Sequence, residues 1–163
     1  MKSHLICVAH KQPDWIERGF QEYQKRLPKR LFLHETELKP SSGSHLSLNS
    51  DAMKERESER ISLALQTLSK NNSNTEVWAL DETGALWTTS EWAQQLEKAQ
   101  QRGVDLAWII GGADGLSRPF KQQATQLIAL SRLTLPHGLV KVILAEQIYR
   151  AHSLITHHPY HRS

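Results

Sequence analysis

Short apolar runs alternate with longer amphipathic stretches along this chain, and that alternation constrains the fold more than any other feature. HLICVA (4–9) and DLAWII (105–110) are almost continuously apolar, as strands buried on both faces are. EVWAL (76–80) also predicts a strand, which DETG (81–84) ends in a turn, and RLFLHETEL (30–38) alternates as a half-exposed strand does. Strands separated by helices build a parallel sheet covered on both faces. The predicted fold class is therefore α/β, with a mainly parallel sheet and helices on both faces.

Helix signals occupy the stretches between the predicted strands. Pro13 suits the first position of a helix over 12–27, and the segment 51–70 reads as a helix with a charged front end. Thr88 and Glu91 have the spacing of a capping box, and Gly103 is placed to end the helix that they begin. The stretch KPSSGSHLSLNS (39–50) is typical of a loop.

The last predicted helix, 137–156, is apolar on two sides. Its apolar residues are Leu139, Val140, Val142, Ile143, Leu144, Ile148, Tyr149, Ala151, Leu154 and Ile155. A helix packed on one face of a sheet needs only one apolar stripe. The second stripe fits a subunit interface and equally fits a central core helix of a monomer, and periodicity leaves both open.

Composition adds bounds but no specific function. The length of 163 residues fits one domain over 1–163. The single Cys7 excludes an internal disulfide and fits a reducing compartment. The chain has neither a membrane-spanning run nor a signal peptide, so a cytoplasmic location is expected. A net charge of +3 tolerates a polyanionic partner without demanding one.

Three predicted strand ends are candidates for a binding site, because ligands of parallel sheets bind beyond the carboxyl ends of the strands. The first is Leu80–Asp81, the second is IIGGADGL from Ile109, which contains Gly111 and Gly112, and the third is LSRLTLPHG from Leu130. Glycines there allow close approach of a ligand, although a simple tight turn is the alternative reading. The chain lacks the P-loop pattern, and its glycine spacing misses the dinucleotide fingerprint.

The tail HHPYHR raises the question of a metal site or a recognition end. A zinc site is disfavoured because adjacent histidines point apart and no cysteine is near; its candidate ligands are His152, His157, His158 and His161. As a recognition end, Tyr160 can stack on a base and Arg162 can pair with phosphate, with Arg150 on the helix leading there. A solvated terminus is the alternative.

Taken together, several segments resemble one known family. KQPDWIERGFQEYQKRLP, LDETG, IIGGADGLS, LSRLTLPHGLVKVILAEQIYRA and the terminal HPYHR occur in that order. This combination is similar to the small SPOUT-class methyltransferases called RlmH, across essentially the whole chain. The resemblance implies S-adenosylmethionine-dependent methylation of N3 of pseudouridine 1915, in helix 69 of 23S rRNA, within the assembled 70S ribosome. It also implies a cytoplasmic homodimer, a C-terminal trefoil knot and no metal.

The resemblance assigns roles to particular positions. The implied cofactor-binding residues are Leu80, Gly111, Leu130, Ser131, Arg132, Leu133, Thr134 and Leu135. The implied catalytic residues are Tyr160, Arg162 and Arg150, with His137 as a weaker candidate. The last helix becomes the dimer interface, and the tail closes over the methyl end of the cofactor. We expect Arg162 to stabilise the developing imidate and Tyr160 to orient the base, while the proton leaves to water or to a histidine such as His161.

Two departures from the family and three alternatives remain. The loop 39–50 lacks the Lys/Arg-rich character of many relatives, and Arg132 places a charge within the cofactor run. The alternatives are a SPOUT enzyme of other RNA specificity, a non-catalytic ribosome assembly factor, and a nucleotide-dependent oxidoreductase. The last of these lacks an acidic ribose-binding residue at the right distance.

Overall fold

The computed structural model describes residues 1–41, 50–69 and 74–161, in which strands and helices alternate. The elements are β1 (Ser3–Val8), α1 (Asp14–Gln24), β2 (Leu33–Leu38), α2 (Ser50–Ser69), β3 (Thr75–Leu86), α3 (Thr89–Arg102), β4 (Asp105–Ile110), α4 (Arg118–Gln123), β5 (Gln126–Ala129), α5 (His137–Ile155) and a 3₁₀ helix (Pro159–His161). The predicted alternation is confirmed. The predicted loop at 39–50 lies largely outside the described residues.

The five strands form one parallel sheet in the order β2-β1-β4-β3-β5. The central strand β4 is buried along its whole length, as its nearly continuous apolar run predicts. The carboxyl ends of all five strands therefore lie along one edge of the sheet. The prediction of an α/β fold with a parallel sheet is confirmed.

Alternate residues of β4 point to two separate cores. Trp108 joins one core with helices α1, α3 and α5, whereas Ile109 joins the other with α2 and α4. This alternation follows from the two-residue period of a strand. Helices cover both faces of the sheet, as predicted.

Four tryptophans organise the core on the α3 and α5 side. The ring of Trp108 lies edge-on to Trp78 at 5.0 Å and stacks on Trp92 at 5.6 Å, while Trp87 packs edge-on against both Trp78 and Trp92. The buried indole N–H of Trp108 donates a 2.9 Å hydrogen bond to the Ser3 hydroxyl. This bond satisfies the polar atom of the ring and joins β4 to β1.

The predicted end of the third strand at Leu80 is wrong, since β3 continues to Leu86. Leu80 and Ala85 both align with Ile128 of β5, so the intervening residues leave the regular ladder and return to the same partner. A Cβ on Gly84 would lie 2.5 Å from the Ile128 amide nitrogen, so only glycine fits there. The residues 81–84 thus form a bulge within a longer strand, which we call the β3 excursion.

Helix ends follow local chemistry closely. The Thr88–Glu91 capping box is present, and Gly103 ends α3 in the left-handed conformation, both as predicted. Pro13 caps α1 instead of occupying its first turn, and α1 ends at Gln24 rather than at the predicted 27. Pro28 keeps Leu27 out of the helix, because the residue before a proline avoids the helical conformation, and the amides of Arg26 and Leu27 bond three residues back in a tighter turn. Within the described ranges, we find no helix with the length and apolar character to cross a bilayer.

A buried lysine joins α5 to α1 and β2. The side chain of Lys141 is only 1% exposed, and its ammonium lies 3.0 Å from Glu17, 2.6 Å from Glu35 and 3.4 Å from Glu37. The ammonium also lies 4.6 Å from the centre of the Phe20 ring. Sequence patterns did not single out this cation, which is sheltered on the α1 side of the sheet.

Candidate active site

A cavity of about 380 Å³ opens beside the β3 excursion and at the carboxyl ends of β4 and β5. Its volume is within the range of small-molecule and cofactor sites. Three segments line it: the β3 excursion, the connection 110–116 after β4, and the connection 130–137 that leads into α5. The strand-end prediction therefore locates a real cavity, and the three predicted strand ends meet around it.

The cavity brings together most of the residues that the resemblance assigns to the cofactor. Its lining includes Leu80, Gly111, Leu130, Ser131, Leu133, Thr134 and Leu135. Arg132 is not among the lining residues, and its side chain is exposed. The run 130–135 thus borders the cavity while this charged side chain points away from it.

Ionised and polar groups connect the β3 excursion to its neighbours. Asp81 accepts hydrogen bonds from the Thr83 amide at 2.9 Å and from the Lys121 ammonium at 3.3 Å. Burial alone would raise the pKa of Asp81, but the bonds from Thr83 and Lys121 outweigh burial and hold it below its ordinary value. The Thr134 hydroxyl donates to Glu82 at 3.3 Å and so ties the connection after β5 to the excursion. This wall of the cavity therefore carries the Asp81–Lys121 ion pair and the Glu82 carboxylate.

His137 begins α5 and lines the cavity. Burial lowers the pKa of its half-buried imidazole, and the negative charge of Glu57 partly opposes that effect. Its ring is therefore neutral at neutral pH and has one nitrogen able to accept a proton.

Glu57 is a buried carboxylate that the sequence reasoning missed. It is 3% exposed, and one oxygen accepts a 3.1 Å hydrogen bond from the Ser41 amide. The other oxygen has no hydrogen-bond partner among the described residues and lies against Gly112, where a Cβ would come within 2.2 Å of it. Glu57 precedes Ile61 by four residues, so the two share the inner face of α2. This spacing could have indicated that Glu57 is buried.

The tail folds back on α5 at some distance from the cavity. The Tyr160 hydroxyl donates to Glu146 at 3.2 Å, and its ring lies 4.7 Å from that of Tyr149. The guanidinium of Arg150 lies 5.0 Å from the centre of the Tyr160 ring. The structure thus brings Tyr160 and Arg150 together, but neither lines the cavity. Arg162 lies outside the described residues.

The surroundings of Tyr160 keep its phenol protonated. Burial raises its pKa above the ordinary value, and the hydroxyl of Tyr23 and the charge of Glu146 raise it further. A phenol with a raised pKa is a poor base at neutral pH. The geometry favours a role in positioning over proton abstraction.

Possible metal ligands converge at one place among the described residues, and that place is not the tail. The convergent group is Glu17, Glu35 and Glu37. The Lys141 ammonium already lies among these carboxylates and supplies the positive charge that a metal ion would bring. In the tail, His157 and His158 are exposed.

Comparison with known proteins finds a family and named relatives that match nearly the whole chain. A family model described as "Predicted SPOUT methyltransferase" matches residues 1–161. Two relatives named Ribosomal RNA large subunit methyltransferase H, from Burkholderia mallei (strain SAVP1) and Burkholderia pseudomallei (strain K96243), are each 48% identical over 163 residues, which is 100% of both chains.

One solved structure has a similar fold. It is a methylase family protein from Neisseria gonorrhoeae, with a TM-score of 0.53 and 16% identity over 91% of this chain and 81% of that chain. This likeness concerns the fold alone. On the full-length match to the family model and to the two relatives, the chain belongs to the SPOUT methyltransferase family, among the ribosomal RNA large subunit methyltransferases H.

Proposed function

We propose that the chain is an S-adenosylmethionine-dependent methyltransferase of large-subunit rRNA that modifies N3 of pseudouridine 1915 in helix 69 of the assembled 70S ribosome. The observation that carries the methyltransferase class is the 48% identity, over the full length, to relatives named for large-subunit rRNA methylation. The proposed nucleotide and the proposed N3 atom rest on the resemblance to the RlmH family. The cavity beside the β3 excursion and beyond β4 and β5 supports the cofactor.

The lining of the cavity fits S-adenosylmethionine. Apolar side chains such as Leu80, Leu130 and Leu135 offer walls for an adenine ring, and the carboxylate of Glu82 provides negative charge for a cationic ligand. When bound, the cofactor supplies a methyl group already activated on a sulfonium, so the protein contributes positioning and electrostatics. We assign the binding role to the lining residues of the run 130–135, to Leu80 and to Gly111. Arg132 is assigned to RNA, because its side chain is exposed.

The reacting nitrogen of pseudouridine must lose its imide proton. Tyr160, whose phenol stays protonated, is assigned to orienting the base, and Arg162 to stabilising the developing imidate. The Arg150 guanidinium lies beside the Tyr160 ring and is assigned to the same step. The proposed proton acceptor is either water or a neutral histidine. His137, which lines the cavity and has a lowered pKa, is such a histidine.

We further propose that two copies pair through the outer face of α5. Leu139 and Ile143 on this face are partly exposed, and neither packs against the two described cores. Val140 lines the cavity, whereas Glu146 and Arg150 lie about 9 and 15 Å further along the helix axis. A partner copy would bring its own tail to the cavity, which the described part of this tail does not line. The proposed trefoil knot involves the connections around the same cavity.

The test is methylation of ribosomes from cells that lack their own copy of this enzyme, using methyl-labelled S-adenosylmethionine. We expect label at pseudouridine 1915 with 70S ribosomes and none with stripped 23S rRNA. Label on another nucleotide would refute the proposed choice of pseudouridine 1915 and identify a different substrate position. Cofactor binding without label on any ribosomal RNA would refute the substrate, and loss of cofactor binding as well would favour an assembly factor.

A further inference from the structure

Glu146 contacts Tyr160 and Arg150, two of the three candidate catalytic residues that the structure describes. One of its oxygens accepts from the Tyr160 hydroxyl at 3.2 Å and from the Arg150 guanidinium at 2.8 and 2.7 Å. Its other oxygen accepts from the Gln147 amide at 2.6 Å. The side chain is 15% exposed, so these partners replace most of its hydration.

This arrangement differs from an ordinary ion pair within a helix. A Glu–Arg pair four residues apart is common on helix surfaces and needs no third partner. Here the carboxylate also joins α5 to the tail, because Tyr160 is 14 residues away along the chain. The same carboxylate holds the Arg150 guanidinium close to the Tyr160 ring. Losing this negative charge would weaken the bonds that hold the guanidinium and the hydroxyl, because hydrogen bonds to an ionised acceptor are about twice as strong as those to a neutral one.

We infer that Glu146 is a positioning residue that fixes Tyr160 and Arg150 in one arrangement for the methyl transfer. The inference rests on the proposed function, because it concerns the tail that this reaction would use. Glu146 itself touches neither cofactor nor substrate in the proposed scheme. It acts through the two side chains that it orients.

The test compares two substitutions that remove the same charge from similar surroundings. Glu76 is also 15% exposed and accepts from an arginine, Arg102, and from an aromatic side chain, the Trp78 indole, but it is remote from the tail. Glu146→Gln is expected to lower kcat by about 10- to 100-fold, as a small misplacement of reacting groups does, with little change in S-adenosylmethionine binding. Glu76→Gln is expected to leave kcat nearly unchanged.

Coupling between the two residues separates positioning from general destabilisation. Tyr160→Phe should lower kcat much less in the Glu146→Gln background than in the wild-type chain, because the hydroxyl has already lost its fixed position. Additive losses, an unchanged kcat in Glu146→Gln, or equal losses in the two glutamine variants would overturn the inference.

A second readout needs neither RNA nor turnover. The position of the Tyr160 ring is followed at neutral pH by NMR of labelled tyrosine, and Tyr160→Phe assigns its signal among the three tyrosines. Cross-peaks between the Tyr160 and Tyr149 rings, whose centres lie 4.7 Å apart, should weaken in Glu146→Gln and stay unchanged in Glu76→Gln. Cross-peaks of wild-type intensity in Glu146→Gln would overturn the inference even for an active enzyme. Weakened cross-peaks in a chain that methylates no ribosomal RNA would refute the proposed function alone.

Discussion

Replacing the buried Lys141 by methionine should destabilise the fold measurably. The substitution preserves much of the apolar stem but leaves Glu17, Glu35 and Glu37 facing one another without a cation. Removing one partner of a buried ion pair costs about 3–5 kcal/mol. The three carboxylates are 32%, 21% and 49% exposed, so solvent screens part of their repulsion and we expect the lower end, about 3 kcal/mol. For a chain of this size, that loss corresponds to a fall in Tm of about 6–12 °C.

The assay is denaturant unfolding followed by fluorescence of the tryptophan cluster, with Lys25→Met as the matched control. Lys25 is 66% exposed and pairs only with Glu22 among the ion pairs described, so its loss should cost about 0–1 kcal/mol. A cost below about 1 kcal/mol for Lys141→Met, or equal costs for the two variants, would refute the reasoning.

The loss of stability in Lys141→Met should also depend on pH. Burial raises the pKa of Glu35 above its ordinary value even though Lys141 opposes that shift. A carboxyl whose pKa is raised by folding contributes stability below its unfolded-state pKa and loses that contribution as the pH rises through its folded-state pKa. Without Lys141 the raised pKa moves higher, so the variant should regain stability as the pH falls from 8 towards about 4.5. A loss of stability that stays constant over this pH range would show that repulsion among the carboxylates is not its cause.

Three further predictions concern the site and the interface. Arg162→Ala should collapse turnover while S-adenosylmethionine affinity, measured by calorimetry, stays nearly intact; equal loss of both would contradict its role. Gly112→Ala should weaken cofactor binding by about tenfold, because its Cβ would lie 2.2 Å from Glu57, whereas Gly19→Ala, with 3.5 Å to its nearest neighbours, should leave binding unchanged. Ile143→Glu should convert the proposed dimer to monomers in analytical ultracentrifugation and abolish methylation; a monomeric wild-type chain would refute the interface.

Sequence patterns predicted the elements whose cause is local. The run 105–110 is a buried strand because nearly all of its side chains are apolar, and Thr88, Glu91 and Gly103 delimit α3 through bonds within a few residues. The strand-end rule also located the cavity, because parallel strands align their carboxyl ends whatever their order in the sheet.

Long-range contacts explain what the sequence did not predict. The extension of β3 to Leu86 depends on pairing with β5, whereas DETG by itself resembles a turn. Glu17, which pairs with the buried Lys141, lies 124 residues earlier in the chain. No pattern within α5 can therefore reveal that Lys141 has a partner. The contact of Tyr160 with Glu146 likewise requires the tail to fold back on the helix.

The β3 excursion has a consequence for how this fold can vary. Since Leu80 and Ala85 both align with Ile128, and Leu86 aligns with Ala129, removing residues 81–85 would join Leu80 to Leu86 without shifting the register against β5. The segment that carries Asp81 is therefore a register-neutral insertion in an otherwise continuous strand. Its length and composition can diverge, and the cavity wall with them, while the sheet that supports the wall remains the same.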